Sequence, residues 1–571
     1  MSEVSGNLIT RVYGNFKGVD FTKSNNSLMR SPDALNMWKN YGNELGKNIE
    51  TRPGLELFKL FNLNIFSINF YTILDVKHMI IHAGVSLYDY NMKTKVLTKI
   101  KENGLNPKKS CGFVHNNIFF FKDGINYLEY NGQTVKDVTG YIPTTTISRA
   151  PGGGGKTLED VNLLTGERKN TFCADGKSTQ YCLDTTDLDS DYTVKAWVND
   201  VETTDFSVDK VNGKITFNTA PEEPDSVGTD NVIIQFSKTV AGEKEKILKC
   251  TLLELFDNRV FFSGNQDYPN TIFHSSLRNP RYVSDLDFYN EGLDLSPITA
   301  MVSGNNALWV FKKPSSANTS IFYHNPATDS DYGKLYPSSH SSISLGCVAT
   351  GINFNDDIVF FSDRGMEAIT GDVTTEQVAS HRSSLVDNKM LQEENYENLI
   401  LCEHKGYLLV FVDNKVYLAD SRSMFTNNTH TEYEWFYWEL EKTITFAIEN
   451  DGILYVGTND GIYTLTDFTQ ERNVTSYWTT LEDEFKYPQM QKTTNKKGCI
   501  VNMSGESILV SVKVDNKTFE NIDTYKNVKG YIVARIKKKK WKSIQIKMSA
   551  TKPFSVEKLT LESYVGSYVK R

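Results

Sequence analysis

The stretch RAPGGGGKTLED, residues 149–160, is where the sequence comes nearest to a phosphate-binding loop. Gly155, Lys156 and Thr157 occupy the Gly-Lys-Thr positions of such a loop, but Ala150 replaces its first glycine. The motif functions only between a buried strand and a helix, because backbone N–H groups and the helix N-terminus must converge on the anion. Prolines precede this run and a glycine follows it too early for a helix. We therefore interpret it as a flexible linker between domains, not as a nucleotide site.

Aspartates and histidines at short spacing are the candidate metal ligands. Asp187, Asp189 and Asp191 alternate in the run DTTDLDSDY, a spacing at which oxygens can converge on calcium. The glycine and the later glutamate of an EF-hand are missing, which favours a solvated acidic loop. His78 and His82 share one face of a predicted strand, but no third ligand is near. We predict no metal site and no cofactor, and the three aspartates are the weak candidates.

The run Lys537, Lys538, Lys539 and Lys540, followed by Trp541, is the strongest basic feature. Lysines can contact phosphates and an indole can stack on a base, so these residues are the candidate contact with DNA or a protein partner. The favoured alternative is a hairpin whose lysines guard a strand edge and whose apolar residues face the core. Those apolar residues are Ile536, Trp541, Ile544 and Ile546.

Composition indicates a folded protein that does not hold nucleic acid tightly. Of 571 residues, 39% are hydrophobic and 23% charged, with a net charge of −8. The 29 tyrosines and 32 phenylalanines favour β-strands. A negative chain does not neutralise many phosphates, although a channel past which DNA slides should repel its backbone. No nucleophile–histidine–acid set and no repeated sialidase-type box are visible, so we predict that the chain is not an enzyme.

Neither a secretory signal nor a membrane span is expected. The N-terminus lacks a basic region followed by an apolar run. The most apolar early stretch, residues 57–71, is interrupted by polar residues and is shorter than the ~20 residues that span a bilayer. Seven scattered cysteines indicate free thiols in a reducing compartment. Cys173 and Cys182 could face each other across a hairpin, but two buried thiols are the favoured interpretation.

Seven segments repeat one pattern: an apolar strand, a tight polar turn and a second strand. The turns contain Asp-Gly, Arg-Gly, Asn-Lys or Asn-Asp-Gly, which tolerate the positive φ of a hairpin. Successive hairpins are 38 to 50 residues apart once residues 151–244 are removed. That period predicts a β-propeller of about seven blades, with six or eight as alternatives and a sandwich ranked second. The mid-strand residues are Ile80, Ile118, Val260, Trp309, Val359, Leu409 and Leu454.

The predicted organisation is all-β, and the one helix candidate covers residues 383–400. The propeller carries two additions: alternating strands predict an inserted small immunoglobulin-like β-sandwich, and the tail predicts a C-terminal β domain. The predicted parts are an N-terminal segment joining the propeller (1–60), the first propeller part (61–150), the insert (151–244), the second propeller part (245–470) and the C-terminal domain (471–571).

Three stretches resemble a family of tailed-bacteriophage and prophage virion proteins. Residues 18–58 carry a Ser-Pro-Asp, Asn-Met and Arg-Pro-Gly series like the N-terminus of that family. Residues 161–184 resemble the start of its inserted β domain, and residues 259–285 resemble a strand–turn stretch of its propeller. Together they cover about a sixth of the chain, in matching order.

The resemblance implies a structural role in the virion tail, most like the propeller nozzle or tail-hub proteins of short-tailed phages. Such a protein forms a cyclic homo-oligomer, by analogy a hexamer, around the channel that retains and then conducts genomic double-stranded DNA without sequence-specific binding. Other tail or neck proteins would be its partners, and assembly would occur in the host cytoplasm. The alternatives are a head–tail connector, a receptor-binding tail protein that recognises host glycans, and a glycan depolymerase on a propeller.

Overall fold

The computed structural model describes residues 7–22, 27–42, 48–73, 75–315, 320–329, 333–341, 343–370, 378–427, 430–466 and 473–568. These residues form 51 strands and three short helical segments, which confirms the predicted all-β class. None of those helices is long and apolar enough to cross a membrane. The chain divides into two compact units: unit 1 comprises residues 1–70, 81–84 and 347–571, and unit 2 comprises residues 71–80 and 85–346.

The N-terminal segment consists of short strands that pair with distant parts of the chain. β2 and β3 extend the sheet that contains the strand His430–Glu439, β7 pairs with the strand Gly461–Thr466, and the other four join strands from the C-terminal hundred residues. Three of the seven strands therefore join two of the repeated sheets, and the other four lie in the sheet of the C-terminal strands. Its strands are β1 (Asn7–Gly14), β2 (Gly18–Val19), β3 (Arg30–Ser31), β4 (Ala34–Leu35), β5 (Met37–Trp38), β6 (Ile49–Thr51) and β7 (Gly54–Leu60).

Two four-stranded sheets follow, each with its strands in chain order. The first contains β8 (Ile65–Ile73), β9 (Val76–Ala83), β10 (Ser86–Asn91) and β11 (Leu97–Lys101). The second contains β12 (Cys111–His115), β13 (Ile118–Lys122), β14 (Tyr127–Tyr130) and β15 (Val135–Asp137). The inner strands are almost wholly buried, as the uninterrupted apolar runs at these hairpins predict.

Residues 144–237, which include most of the predicted insert, form nine strands in two sheets. A six-stranded sheet has the order β17-β16-β18-β24-β20-β21 and a three-stranded sheet has the order β19-β23-β22. Their facing sides bury one apolar cluster around Phe172, Tyr181 and Phe236. The strands are β16 (Thr144–Arg149), β17 (Lys156–Thr157), β18 (Glu167–Phe172), β19 (Gln180–Cys182), β20 (Lys195–Val198), β21 (Val201–Thr203), β22 (Phe206–Asp209), β23 (Lys214–Phe217) and β24 (Val232–Ser237).

Helix α1 (Glu243–Leu248) leads from these sheets into five more sheets in chain order. The first sheet consists of β25 (Leu252–Phe256), β26 (Arg259–Ser263), β27 (Thr271–His274) and β28 (Phe288–Asn290). The second consists of β29 (Ile298–Gly304), β30 (Ala307–Lys312), β31 (Ile321–His324) and β34 (Ser338–His340), and β32 (Ala327–Asp329) and β33 (Gly333–Leu335) form a separate pair between its last two strands in the chain. The third consists of β35 (Gly351–Phe354), β36 (Asp357–Ser362), β37 (Gly365–Thr370) and β38 (Val378–His381).

The last two of these sheets recruit the N-terminal strands. One consists of β39 (Ile400–His404), β40 (Tyr407–Val412), β41 (Lys415–Asn427) and β42 (His430–Glu439), extended by β2 and β3. The other consists of β43 (Ile444–Asn450), β44 (Ile453–Thr458) and β45 (Gly461–Thr466), and β7 is its fourth strand. All seven predicted hairpins are thus confirmed, and each mid-strand residue lies in the second strand of its sheet.

The helix predicted over residues 383–400 is wrong. Only α2 (Asp387–Met390) and a 3-10 turn (Tyr396–Asn398) form there. The residue before α2 is Val386, which provides no side-chain cap. A helix of one turn gains little from its few hydrogen bonds, so packing of Met390 and Tyr396 into the core fixes this segment instead.

The C-terminal strands build a ten-stranded sheet with four N-terminal strands. Its main path is β4-β46-β50-β47-β51-β6-β5, with β1 on β51 and both β48 and β49 on β47. The buried face contains Trp478, Val501, Trp541 and Leu559. The strands are β46 (Ser476–Thr479), β47 (Met490–Val514), β48 (Glu520–Ala534), β49 (Lys539–Trp541), β50 (Ile544–Ala550) and β51 (Phe554–Tyr568).

Gly18 marks a close backbone approach within unit 1. Its φ is 111°, and a Cβ atom there would lie 1.9 Å from the carbonyl oxygen of Trp435. We expect Gly18→Ala to lower the free energy of unfolding by about 2–4 kcal/mol, because the strain of the left-handed region adds to a backbone clash. Urea denaturation measures the loss. Gly104→Ala is the matched control, since Gly104 has φ of 91° with no atom within 4 Å; equal losses for both variants would contradict the clash.

Candidate functional site

A histidine held between two carboxylates is the nearest approach to a catalytic arrangement in the described parts of unit 1. His381 Nδ1 lies 2.8 Å from Glu367 Oε1, and its Nε2 lies 2.6 Å from Asp387 Oδ2. Ser383 Oγ donates to the other oxygen of Asp387 at 2.6 Å. Burial opposes the charge, but the hydrogen bonds that the imidazole donates to Asp387 and Glu367 raise the pKa of His381 to about 10. A cationic imidazole with both nitrogens engaged cannot act as a base towards Ser383, so this cluster is structural.

A cleft of about 950 Å³ in unit 2 is the best candidate for ligand binding. Strands β18 and β24, the turn around Asp189 and the start of α1 surround it. Alternation places Arg168 on the same face of β18 as the buried Asn170 and Phe172. The cleft is therefore built in part by β18 and β24, which pair directly at Arg168 and Phe236.

Arg168 is the distinctive residue of this cleft. It is 8% exposed, and the only hydrogen bond of its side chain to the described residues runs from Nη2 to the carbonyl oxygen of Lys238 at 3.2 Å. Nε is buried without a hydrogen-bond partner. Burial lowers the pKa of Arg168, while the charge of Asp184 acts in the opposite direction. A buried guanidinium that has free donors and no paired carboxylate is suited to an oxyanion.

Hydrogen-bond acceptors line other parts of the same cleft. Glu167 accepts hydrogen bonds from the Tyr192 hydroxyl at 2.8 Å and from Gln235 Nε2 at 2.9 Å. Burial and the nearby charge of Asp160 raise the pKa of Asp285 on another wall. Carboxylates repel a multiply charged phosphate but accept hydrogen bonds from hydroxyl groups. The cleft therefore combines cationic groups, the buried Arg168 and the lining residues Lys238, Lys244 and Lys246, with several carboxylates that can accept hydrogen bonds from hydroxyl groups.

The three candidate aspartates are not brought together as a calcium site. Asp189 accepts hydrogen bonds from Ser237 Oγ at 2.6 Å and from the backbone N–H and hydroxyl of Thr239. Burial acts against ionisation, yet these hydrogen bonds lower the pKa of Asp189. Asp187 has φ of 53°, and Asp191 lines the cleft. Within the described residues no three His, Cys, Asp or Glu side chains are grouped to hold a metal.

Trp541 and the lysines before it have different environments. Trp541 is fully buried and packs edge-on against Phe485, with 5.5 Å between ring centroids. Its ring therefore offers no face to a nucleobase. Lys538 pairs with Glu520, whereas Lys537, Lys539 and Lys540 are exposed. The prediction that Ile536, Trp541, Ile544 and Ile546 face the core is confirmed.

The Gly-rich run is a turn inside a sheet, which corrects its interpretation as an interdomain linker. β16 and β17 pair through Thr146–Thr157 and Ile147–Lys156, and no helix follows Thr157. Arg149 Nη1 donates to the carbonyl oxygen of Gly154 at 2.6 Å, which holds the turn closed. The insert therefore begins at Thr144, before the predicted boundary at residue 151.

The remaining histidine and cysteine candidates lie in ordinary structural environments. His78 Nδ1 is 2.8 Å from Asp89, and buried His82 contacts the carbonyl oxygen of Gly84 through Nε2. All seven cysteines are free thiols. Arg168 and its neighbours were missed from the sequence, since an arginine in an alternating strand is ordinarily expected to face solvent.

No protein-family model matches the chain, and no curated protein matches it. Solved structures with similarity include BamB from Moraxella catarrhalis, at 12% identity and a TM-score of 0.34, covering 74% of this chain and 99% of that one. Glutaminyl cyclase from Myxococcus xanthus has 10% identity and a TM-score of 0.20, covering 36% and 84%. An exo-beta-1,3-galactanase from Phanerochaete chrysosporium has 9% identity and a TM-score of 0.21, covering 54% and 94%. Likeness at this level carries no conclusion about activity.

Proposed function

We propose that this chain is a structural component of a bacteriophage tail. Its seven repeated sheets, six with four strands and one extended to six by β2 and β3, form the blades of a β-propeller, and several copies form a ring that retains and then conducts genomic DNA. The sheet β43-β44-β45-β7 carries the propeller proposal. It is the last of the seven in chain order, yet its fourth strand comes from the N-terminal segment. A circle of sheets must join its last member to the start of the chain, and an exchanged strand achieves this while covering a free edge.

The additions to the propeller support a role in assembly. The insert forms an immunoglobulin-like sandwich, and the ten-stranded sheet forms the C-terminal domain together with β1, β4, β5 and β6. A net charge of −8 suits a conduit that repels the DNA backbone. We place the protein in the virion tail after assembly in the host cytoplasm, next to other tail or neck proteins; a head–tail connector is the nearest variant of this role.

Light scattering and negative-stain microscopy of the purified protein test the proposal. We expect a cyclic oligomer with an open lumen, by analogy six copies. A trimeric spike would favour receptor binding instead. A monomer at every concentration, combined with no ring in virions carrying a tagged copy, would contradict the proposal.

Recognition of an acidic host saccharide is the second candidate function, and the unpaired Arg168 favours it. A sugar carboxylate would accept hydrogen bonds from the guanidinium, while Glu167, Asp191 and Asp285 would accept them from hydroxyl groups. A cleft of about 950 Å³ accommodates one or two sugar rings.

Glucuronic acid and glucose form a matched pair of probes for this cleft, because they differ in one carboxylate. Calorimetry or ligand-observed NMR should detect glucuronic acid binding in preference to glucose. We expect Arg168→Met to weaken that binding about 10- to 100-fold, the value of charge-assisted hydrogen bonds, and Arg168→Lys to restore only part of it. Lys195→Met, at an exposed position on β20, is the control. Equal affinity for both probes, or no effect of Arg168→Met, would exclude the site.

A further inference from the structure

The four strands β1, β51, β47 and β48 form a continuous antiparallel region of the C-terminal sheet. In one cross-strand row Val12 lies opposite Thr560, Thr560 opposite Ile500, and Ile500 opposite Val533. The side chains of Val12, Ile500 and Val533 are exposed, while the neighbouring row places Tyr13, Leu559 and Val501 in the core. An apolar stripe therefore crosses the solvent face of this sheet from one edge strand to the other.

Both edges of this region are open among the described residues, because β1 pairs only with β51 and β48 only with β47. Edge strands usually carry charges that prevent pairing with another chain. Here the parts of the two edge strands that lie in these cross-strand rows, Arg11–Gly14 on β1 and Tyr531–Ala534 on β48, contain one charged residue. That charge is turned away, since Arg11 Nε lies 3.1 Å from the buried Asp483 carboxylate. The two edges thus present no outward-facing charge where the stripe reaches them, and on β48 the carbonyl oxygen of Val533 accepts a hydrogen bond from the Tyr525 hydroxyl at 3.4 Å.

The two edges also have complementary shapes. Tyr531 on β48 is 73% exposed. In the same row, Gly14 on β1 lies opposite Lys558, Lys558 opposite Asn502, and Asn502 opposite Tyr531. A hollow of about 400 Å³ lies beside Gly14. An aromatic ring that covers a glycine of the adjoining strand is a known device for stabilising strand pairs. The residues that line the hollow are Val12, Gly14, Asn15, Glu557 and Lys558.

Strand direction selects the symmetry of the contact. The three pairings between these four strands are antiparallel, so β48 runs opposite to β1. When copies repeat by rotation about one axis, β48 of one copy therefore meets β1 of the next in the antiparallel sense. Head-to-tail contact of two different edges is the type that closes into a ring.

We propose that β48 of each copy pairs with β1 of the next copy, with Val533 opposite Val12 and Tyr531 in the hollow over Gly14. The partner is a second copy of this chain, and the inference rests on the proposed ring, to which it assigns the interface. The apolar stripe then continues from copy to copy, and the ladder hydrogen bonds of both edges are satisfied.

A double cysteine variant, Val12→Cys with Val533→Cys, tests the register in the full chain. Opposed residues of antiparallel strands have Cα atoms about 4.5–5.5 Å apart, within disulfide reach. We expect mild oxidation to give a ladder of disulfide-linked multimers that reduction dissolves. Leu8→Cys with Val533→Cys is the matched control, because Leu8 is four residues along β1 and about 13 Å out of register. Wild-type protein controls for its own seven cysteines.

The outcomes distinguish this interface from the ring itself. Rings without cross-linking of Val12→Cys/Val533→Cys would overturn the interface and leave the proposed ring intact. Dimers cross-linked by Val12→Cys alone would show a two-fold contact of β1 with β1 and overturn it as well. A monomeric wild type would contradict both. Separately, Tyr531→Ser and Gly14→Val should each weaken subunit association about tenfold, while Tyr564→Ser, on the same sheet away from the joint, should not.

Discussion

Replacement of Trp38 by alanine is expected to lower the free energy of unfolding of unit 1 by about 3–5 kcal/mol, the usual loss for a buried tryptophan. Trp38 lies in β5 and is 1% exposed. Its ring packs edge-on against Trp438 at 5.3 Å and against Tyr407 at 5.6 Å between centroids. Its Nε1 has no hydrogen-bond partner within the described parts of the chain, so the loss comes from packing and from the cavity left behind.

Urea denaturation followed by fluorescence measures this loss, and hydrogen exchange locates it. We expect protection to fall in β40 and β42, which hold Tyr407 and Trp438, because the N-terminal segment covers them. Trp197→Ala is the control, since Trp197 in β20 is only partly buried. A loss below about 1 kcal/mol for Trp38→Ala would mean that the segment packs elsewhere.

The second large effect is a pH-dependent contribution from His381. Its pKa is about 10 in the folded chain, because the hydrogen bonds of Asp387 and Glu367 outweigh burial, and about 6.5 when unfolded. A raised pKa stabilises the fold fully below pH 6.5, and this stabilisation is lost as the pH rises through about 10. At pH 6 we expect His381→Gln to cost about 2–4 kcal/mol, because two carboxylates then face each other without a cation.

Urea denaturation of wild type and His381→Gln between pH 6 and 10 checks the sign. The difference in unfolding free energy should shrink as the pH rises, because only the wild type loses a proton from this site. The double variant His381→Gln/Asp387→Asn removes a positive and a negative charge together, so it should lose less stability at pH 6 than His381→Gln alone. A difference that is constant across this range would contradict a cationic His381.

The proposed interface between copies uses the two open edge strands of the C-terminal sheet, β1 and β48. Among the described residues, no further strand pairs with the outer edge of β1 or of β48, whereas the outer edge of β45 is covered by β7. The contrast fits the two levels of structure that we propose: strand exchange within a chain closes the propeller, and strand pairing between chains closes the ring.

The sequence alone determined the repeating hairpins and their spacing. Two-residue alternation and uninterrupted apolar runs are local signals, and turn residues such as Asp123-Gly124 set the reversals between strands. The burial of Ile536 and Ile544 in the lysine-rich hairpin was predicted from the same periodicity. These features depend on neighbours within a few residues, so reading along the chain recovers them.

Only the tertiary structure decided which distant strands meet. Nothing local in β1 indicates that it pairs with β51, more than five hundred residues later. The same applies to β7 on β45 and to the unpaired Arg168, whose burial depends on strands from both ends of the insert. The short helix near Asp387 and the sheet turn at Gly154 were misjudged for this reason. Pairing over such separations is selected by burial and shape in the whole fold, which no local pattern encodes.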